Sequence, residues 1–470
     1  MDKDVRENCE RTPMKKVLLL TTLLMSTLSF AQNNVPPFWG IMFNHPNDSY
    51  PAPGNPVPIF HQIRLSDTGT AWGDIQGNNG NVGCNNSSQL NFSYLDSYLN
   101  HYAIPNDFDV TYVAAQTPCF ISANPTDATC AHYTGSCDPP KDITCTGTGP
   151  GGTGGTDATF INYLQQLWTH MMAQPYYGGR QWYYEMWNEP NVGFFWNNGW
   201  INDKYCGGDQ TATRRIMIRM AADARATISA IDPSVLFITP AVSVAITQAR
   251  VNGWWYLYLQ LGGGQYADIM GVHSYLDDTV YPPEAVCCNA SSLIGGALAT
   301  MAQFGQSNKP LWATEGSCGK YCPGLPDMVA WTARYYTMML SKNEVARFNW
   351  YCYDIYGVLW DGNELTPTGQ MLGVLQSDWG YMGGTFKGCT ETKVASCSGA
   401  GHIFACNLKE GGTGAPAQAA WYDSQGNTCS FTPKGTGWID YQDLTGKKTH
   451  YSGGPVTLGN RPILFEKAAQ

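Results

Sequence analysis

Trp182-Tyr183-Tyr184-Glu185-Met186-Trp187-Asn188-Glu189-Pro190-Asn191 is a run of bulky residues that stops at a carboxylate and a proline. Aromatic residues suit a pleated, half-buried surface, and Pro190 has no N–H to give to a sheet ladder. The segment reads as a buried strand that delivers Asn188 and Glu189 at its C-terminal end. Seven more apolar runs repeat the theme between about Phe38 and Leu375: FWGIMF, FHQIRL, DVTYVAA, VLFITP, DIMGVH, PLWATE and ARFNWY. Between many of them lie helical patterns such as TFINYLQQLWTHMMA, TRRIMIRMAADARATISA, LIGGALATMAQFG and DMVAWTARYYTMML. Eight strands alternating with helices predict an α/β fold, a (β/α)8 TIM barrel, ahead of a doubly wound open sheet. The C-terminal ends of barrel strands are where chemically active side chains gather.

Two stretches interrupt the alternation, after strands two and three, on that same face. Thr68 to Gln89 is rich in Gly and Asn, and Ser122 to Thr156 contains Cys130, Cys137 and Cys145. Gly147, Gly149 and Gly152 make a formal GxGxxG, but it follows a Cys/Thr-rich loop rather than a strand and has Pro150 inside it. It predicts a flexible or disulfide-tethered loop, not a dinucleotide site. After Leu375 helical periodicity ends. GHIFACNL, AQAAWYD, CSFTP, GWIDYQD, PVTLG and RPILFE follow, separated by turn signals, and predict a small all-β sandwich. The expected organisation is a leader over 1–31, a barrel over 32–378 and an accessory sandwich over 379–470.

The chain has 470 residues, with 27 Lys+Arg against 37 Asp+Glu, a formal charge of −10. This acidic balance argues against nucleic acid or an anionic membrane as partner. Lys15 and Lys16 precede the apolar run Val17 to Leu28 and the small-residue end Ser29-Phe30-Ala31. That is the pattern of a secretory signal starting at Met14 and cleaved near Ala31, leaving a secreted protein, periplasmic or extracellular. The run is shorter than the roughly 20 residues needed to span a bilayer, and no second span is offered. Export predicts disulfide bonds. Cys9 lies in the leader, and the remaining 15 of 16 cysteines are odd in number, so at least one stays outside the intrachain pairs. Cys130/Cys137, Cys318/Cys322, Cys389/Cys397 and Cys406/Cys429 are close in sequence, which fixes no connectivity. No CxxC faces a second one or a His pair, so neither a metal site nor a cofactor is predicted.

Asn188-Glu189-Pro190 at the end of the fourth strand resembles the acid/base motif of clan A retaining glycoside hydrolases. Leu311-Trp312-Ala313-Thr314-Glu315-Gly316-Ser317 supplies a second carboxylate at the end of the seventh. The resemblance implies Glu189 as acid/base and Glu315 as nucleophile. A retaining pair has carboxyl groups about 5–5.5 Å apart. It also implies an ionised Glu315 and a Glu189 whose pKa is raised by burial and by the neighbouring charge. Gly271-Val272-His273-Ser274-Tyr275 ends the sixth strand, and its H-x-Y is similar to clan members in which the Tyr hydroxyl bonds the nucleophile and the His reaches substrate. By the same resemblance Arg64 holds the nucleophile's charge and Asn188 bonds the sugar 2-hydroxyl. Trp350 would then floor the sugar at the cleavage point. Trp196, in the aromatic loop Gly193 to Trp200, is read as a stacking ring, and His45 after the first strand as a further sugar contact.

The NEPN segment and the barrel-plus-β layout resemble family 39, with a family 5-like cellulase barrel as the alternative. The implied function is an exported hydrolase that cleaves β-type O-glycosidic bonds in a polysaccharide or oligosaccharide by double displacement, with carbohydrate as its partner. The competing reading is a non-catalytic carbohydrate-binding protein on the same barrel, which would keep the aromatic rings and lose a carboxylate. Neither GxSxG nor HExxH occurs, which argues against a serine or zinc hydrolase.

Overall fold

A computed structural model describes residues 37–469 except 45–48, 52–55, 77–88, 146–154, 156, 198–211, 244–252, 276–282, 285–289, 319–321, 323, 355–357 and 395–396. The leader, His45 and the glycine triplet 147–152 thus lie outside the described residues.

Parallel strands form the first sheet: β1 (Trp39–Ile41), β2 (Gln62–Leu65), β3 (Asp109–Ala114), β4 (Trp182–Met186), β5 (Leu236–Ile238), β6 (Val242–Ser243), β7 (Met270–His273), β8 (Leu311–Gly316) and β9 (Val345–Trp350). Their order is β5-β4-β3-β2-β1-β9-β8-β7-β6. The predicted strand VLFITP becomes β5, which stops before Pro240, and β6 is a short further strand just beyond it. The gap between them is the seam of the barrel. β5 pairs with β4 and β6 with β7. Thr239 N–H donates to Ile269 O at 3.1 Å and Ile238 bridges Ile269, which closes the ring.

The helices are α1 (Trp72–Ile75), α2 (Ser93–Asn106), α3 (Ala158–Met172), α4 (Ala212–Ile231), α5 (Trp254–Gln260), α6 (Ala290–Gln303), α7 (Met328–Leu340) and α8 (Pro367–Ser377). The four quoted helical patterns become α3, α4, α6 and α7. α2 is absent from that set because its inward stripe is half tyrosine: Leu95, Tyr98, Leu99 and Tyr102 are buried at helical spacing.

Side chains alternate inward and outward along each strand, and the parity decides what fills the barrel. On β9, Phe348 and Trp350 face α7, while Arg347 and Asn349 point inward. The Arg347 guanidinium lies over the rings of Trp312 at 4.1 Å and Tyr183 at 4.9 Å, with Asp109 Oδ2 at 3.7 Å. Above it sits the hydrogen-bonded pair Gln62–Thr111. A Cβ on Gly40 would fall 1.5 Å from Asn349 Oδ1, so only glycine leaves room for that amide. The interior is therefore polar along its height, and its upper layer is the site described below.

The second region is antiparallel. β10 (Thr385–Lys393), β11 (His402–Lys409), β12 (Pro416–Tyr422), β13 (Cys429–Phe431), β14 (Trp438–Gln442), β15 (Lys448–His450), β16 (Val456–Leu458) and β17 (Ile463–Lys467) complete the chain. Six form a sheet in the order β10-β11-β12-β17-β14-β15, and β13 pairs with β16 across a small core of Ile403, Tyr422, Leu458 and Phe465. The two strands not foreseen, β10 and β15, are the two edges of that sheet. Edges are kept polar and charged against further pairing, so they lack apolar alternation. Cys389–Cys406 staples β10 to β11, and Cys397–Cys429 ties the following loop to β13. The sequence neighbours Cys389/Cys397 and Cys406/Cys429 are thus not bonded to each other. Trp379, Phe386, Leu408, Trp421 and Leu464 join the barrel's own buried cluster, so one apolar core runs through both regions.

Cys130–Cys137 and Cys318–Cys322 are bridged, Cys119 and Cys145 are also disulfide-bonded, and the buried Cys352 keeps a thiol that donates to Asp354 Oδ1 at 2.7 Å. Among the described residues no helix is long and apolar enough to cross a membrane.

Candidate active site

Arg64, inward-facing on β2 and fully buried, is the hub. Its Nε and Nη2 donate to Glu185 at 2.7 and 2.8 Å, a bidentate fork. Nη1 donates to Glu315 Oε1, and Nη2 also reaches Asn188 Oδ1 at 3.1 Å. Burial alone would push the guanidinium down, but the carboxylates of Glu185 and Glu315 raise its pKa above the ordinary value.

Simple alternation would send Glu315 outward, because Trp312 and Thr314 already face in. A register shift opposite Val272 and His273 inserts one extra residue into β8. This bulge re-aims the strand end, and both Thr314 and Glu315 enter the mouth. Thr314 Oγ1 is 3.4 Å from Glu185 Oε1. Tyr275 OH donates to Glu315 Oε2 at 2.9 Å. Two donors on two oxygens serve the ionised carboxylate.

Glu189 follows β4 and has left-handed backbone, as does Trp187. Its N–H donates to Ala241 O at 3.0 Å, across the barrel seam. His273 Nδ1 lies 2.7 Å from Glu189 Oε1 and 3.3 Å from Glu315 Oε2. One oxygen of each carboxylate and one nitrogen of this ring all lie within 4.8 Å of one another. The three atoms offer a metal's spacing, yet the Arg64 guanidinium already supplies a fixed positive charge on Glu315, which disfavours a cation there.

The electrostatics depart from the expectation of a raised Glu189 beside an easily ionised Glu315. Burial pushes Glu189 up, but the hydrogen bond and charge of His273, helped by Arg64, hold it below its ordinary value. Glu315 is raised, because burial outweighs the stabilising charges of His273 and Arg64. Burial lowers His273, but Glu315 and Glu189 more than reverse this and raise it. The two carboxylates thus favour the protonated form of His273, whose Nδ1 is one short hydrogen bond from Glu189.

Arg64, Asn188, Glu189, His273, Tyr275 and Glu315 come together from β2, β4, β7 and β8. Trp350 and Trp196 do not join them, and their reading as sugar-stacking rings is corrected. Trp350 is fully buried and stacks on Tyr336 of α7, with centroids 5.4 Å apart. The sequence reading was one residue out of phase: by parity the inward ring is Tyr351. Tyr351 OH donates to Asp67 Oδ2 at 3.0 Å, and its ring meets Tyr275 edge-on at 6.0 Å. Trp196 is also fully buried, set edge-on against Trp187 at 4.8 Å, so it buttresses the segment next to Asn188.

Glu185, Asp67 and Tyr351 went unassigned in the sequence. Alternation signals the first and the last: Tyr183 and Glu185 share one face of β4. Asp67 carried no such signal. Of the five described non-glycine residues with positive φ, four (Asp67, Gln116, Trp187 and Glu189) lie just past β2, β3 and β4. Such strained positions cluster where function over-determines the backbone.

No family model matches the chain, and no curated protein matches it. Solved structures do. A glucosidase from Croceicoccus marinus is 12% identical over 94% of this chain and 98% of its own, with a TM-score of 0.52. A family 44 xyloglucanase from Paenibacillus polymyxa is 12% identical over 92% and 97%, also at 0.52. A family 44 endoglucanase from Clostridium thermocellum is 12% identical over 93% and 98%, at 0.50. The fold is the barrel followed by a β-sandwich found in glycoside hydrolases. At this identity the likeness is one of architecture.

Proposed function

We propose that the chain is an exported glycoside hydrolase that cleaves β-type O-glycosidic bonds with retention of configuration. One observation carries the reading: Glu189 and Glu315, on opposite sides of the mouth, share the ring of His273 with carboxylate oxygens within 4.8 Å. That spacing suits a nucleophile and an acid that flank the scissile bond, one on each face of the sugar, and it is too close for a water to be held between them. Glu315 attacks the anomeric carbon, its charge held by Arg64 and its outer oxygen fixed by Tyr275. Glu189 gives a proton to the leaving oxygen, drawn along the 2.7 Å hydrogen bond from His273. Asn188, whose Oδ1 is taken by Arg64, turns its amide nitrogen to the sugar 2-hydroxyl. Water then hydrolyses the glycosyl-enzyme, with Glu189 as base. The NEPN segment and the barrel-plus-β layout resemble family 39 in particular, and the leader and disulfides support export. NMR of the first-formed product on a substrate the protein turns over should show the substrate's own anomeric configuration. An inverted first product would refute the mechanism.

A further inference from the structure

Beside the carboxylates, past the ends of β2, β3 and β4, lies a partly open cleft. It does not include Glu189 or Glu315. It shares Asn188 and Asp67 with their cluster and extends away from them, bounded by Asp74, Gln116, His132 and Phe194. Its outer wall is the described part of the cysteine-containing insertion, residues 122–145, which is held by its own contacts. Cys130–Cys137 closes it into a small ring. Tyr133 OH donates to Gln116 O at 3.0 Å, over Gly73, where a Cβ would fall 1.2 Å from that hydroxyl. Ala131 N–H donates to Phe194 O at 2.9 Å, and the Asn197 amide donates to both Asp127 and Asp138 at 2.9 and 3.0 Å. Residues 127–138 of the insertion and residues 194–197 after Glu189 are therefore held together.

The lining has a consistent chemistry. Phe194 is 48% exposed, an apolar face with no structural reason to be uncovered. Gln116 is 8% exposed, its backbone is left-handed at φ 66°, and its Oε1 is buried with no hydrogen-bond partner among the described residues. An orphaned amide acceptor is costly, and a modest turn of its terminal torsion brings it to a ligand hydroxyl. Asp67 uses Oδ2 for Tyr351, which leaves Oδ1 to accept. No lysine or arginine is among the described lining residues, and burial holds His132 below its ordinary value, which favours the neutral ring.

We propose that this cleft is a binding subsite for an uncharged, hydroxyl-rich sugar unit next to the point of cleavage, and that it excludes uronic acids. The apolar face of a pyranose lies on Phe194, and its hydroxyls meet Gln116, Asp67 and Asp74. A uronate would bring a third carboxylate between Asp67 and Asp74 with no cation to receive it. The proposal rests on the glycosidase reading and narrows its substrate class to neutral glycans.

The test is calorimetric titration of the full, oxidised chain carrying Glu315→Ala, which cannot turn over what it binds. The probes are cellohexaose, xylohexaose, mannohexaose and hexagalacturonate. At least one neutral hexamer should bind and hexagalacturonate should bind at least tenfold more weakly. Phe194→Ala, at an exposed ring that folding does not need, and Gln116→Ala should each weaken the neutral hexamer about tenfold or more. Asp67→Asn, which tolerates the left-handed backbone, should narrow the gap between neutral and uronate ligands. Hexagalacturonate binding as tightly as the best neutral hexamer, no neutral hexamer binding, or Phe194→Ala and Gln116→Ala both within twofold of their parent would each overturn the proposal. The two readings fail separately. A wild-type chain that binds these hexamers through Phe194 and hydrolyses no glycan refutes the glycosidase and leaves the subsite. Hydrolysis that ignores Phe194 and Gln116 does the reverse.

Discussion

Glu185→Gln tests the electrostatic frame of the site without touching substrate. Glu185 is fully buried and takes two of the Arg64 hydrogen bonds, at 2.7 and 2.8 Å. Glutamine keeps the shape and one acceptor. It loses one charge-assisted bond, about 1.5–3 kcal/mol of stability. Arg64 keeps Glu315 as partner, so its charge is not stranded. The larger effect falls on Glu315. The Glu185 charge lies across one guanidinium from it, roughly 6 Å, and at an effective dielectric of about 20 contributes about 2.8 kcal/mol, or two pK units. Relaxation and counter-ions reduce this to about one unit. Removing a negative charge lowers the Glu315 pKa, so the acid limb of kcat/KM should move about one unit toward lower pH. The limiting rate should drop as the nucleophile becomes less basic. The assay is the pH dependence of kcat/KM on an aryl glycoside, with urea unfolding run alongside. A stability loss with an unmoved acid limb would show Glu185 to be only a structural partner. A limb shifted upward would refute the electrostatic argument.

Azide should separate the two carboxylates: Glu315→Ala should yield a glycosyl azide of inverted configuration, and Glu189→Ala, on a dinitrophenyl glycoside, one of retained configuration. Exchanged outcomes would reverse the roles, and a loss below about tenfold, ~1.4 kcal/mol, in both variants would mean the site is wrong. The wild-type pH–rate profile should be a narrow bell. Activity is lost as pH falls through the raised Glu315 pKa, above its ordinary 4.5, and as pH rises through the raised His273 pKa, above 6.5. A plateau reaching below pH 4.5 would contradict this. Trp350→Ala should cost about 3–5 kcal/mol of stability, as a large buried ring leaves a cavity, whereas Tyr351→Ala should spare stability and raise KM. The opposite pattern would restore Trp350 as the sugar floor.

The sequence disclosed what periodicity can carry. The eight apolar runs are the barrel strands, and Asn-Glu-Pro pointed to strand four because a proline after a carboxylate ends a strand wherever it occurs. What it hid is three-dimensional. The bulge that turns Glu315 inward depends on the register against β7, which no local pattern states. The phase of β9 was readable, since Arg347, Asn349 and Tyr351 alternate with Phe348 and Trp350, but the bulkier ring drew the assignment. The site's charge state was out of reach, because it depends on where His273 stands between two carboxylates.

The seam of the barrel has a consequence for motion. Glu189 lies beyond the end of its strand, where a loop residue would ordinarily breathe freely, yet its amide is bonded to Ala241 and Asn191 clamps Ser243 through both amide atoms, at 2.9 and 3.0 Å. Glu189 is thus tied to the seam between β5 and β6. In hydrogen-exchange terms its amide should open with the edges of β5 and β6 rather than with the loop that carries Phe194. An opening that frees the Glu189 amide must break its hydrogen bond to Ala241 at that seam. The placement of Glu189 and the closure of the ring are then coupled through these contacts.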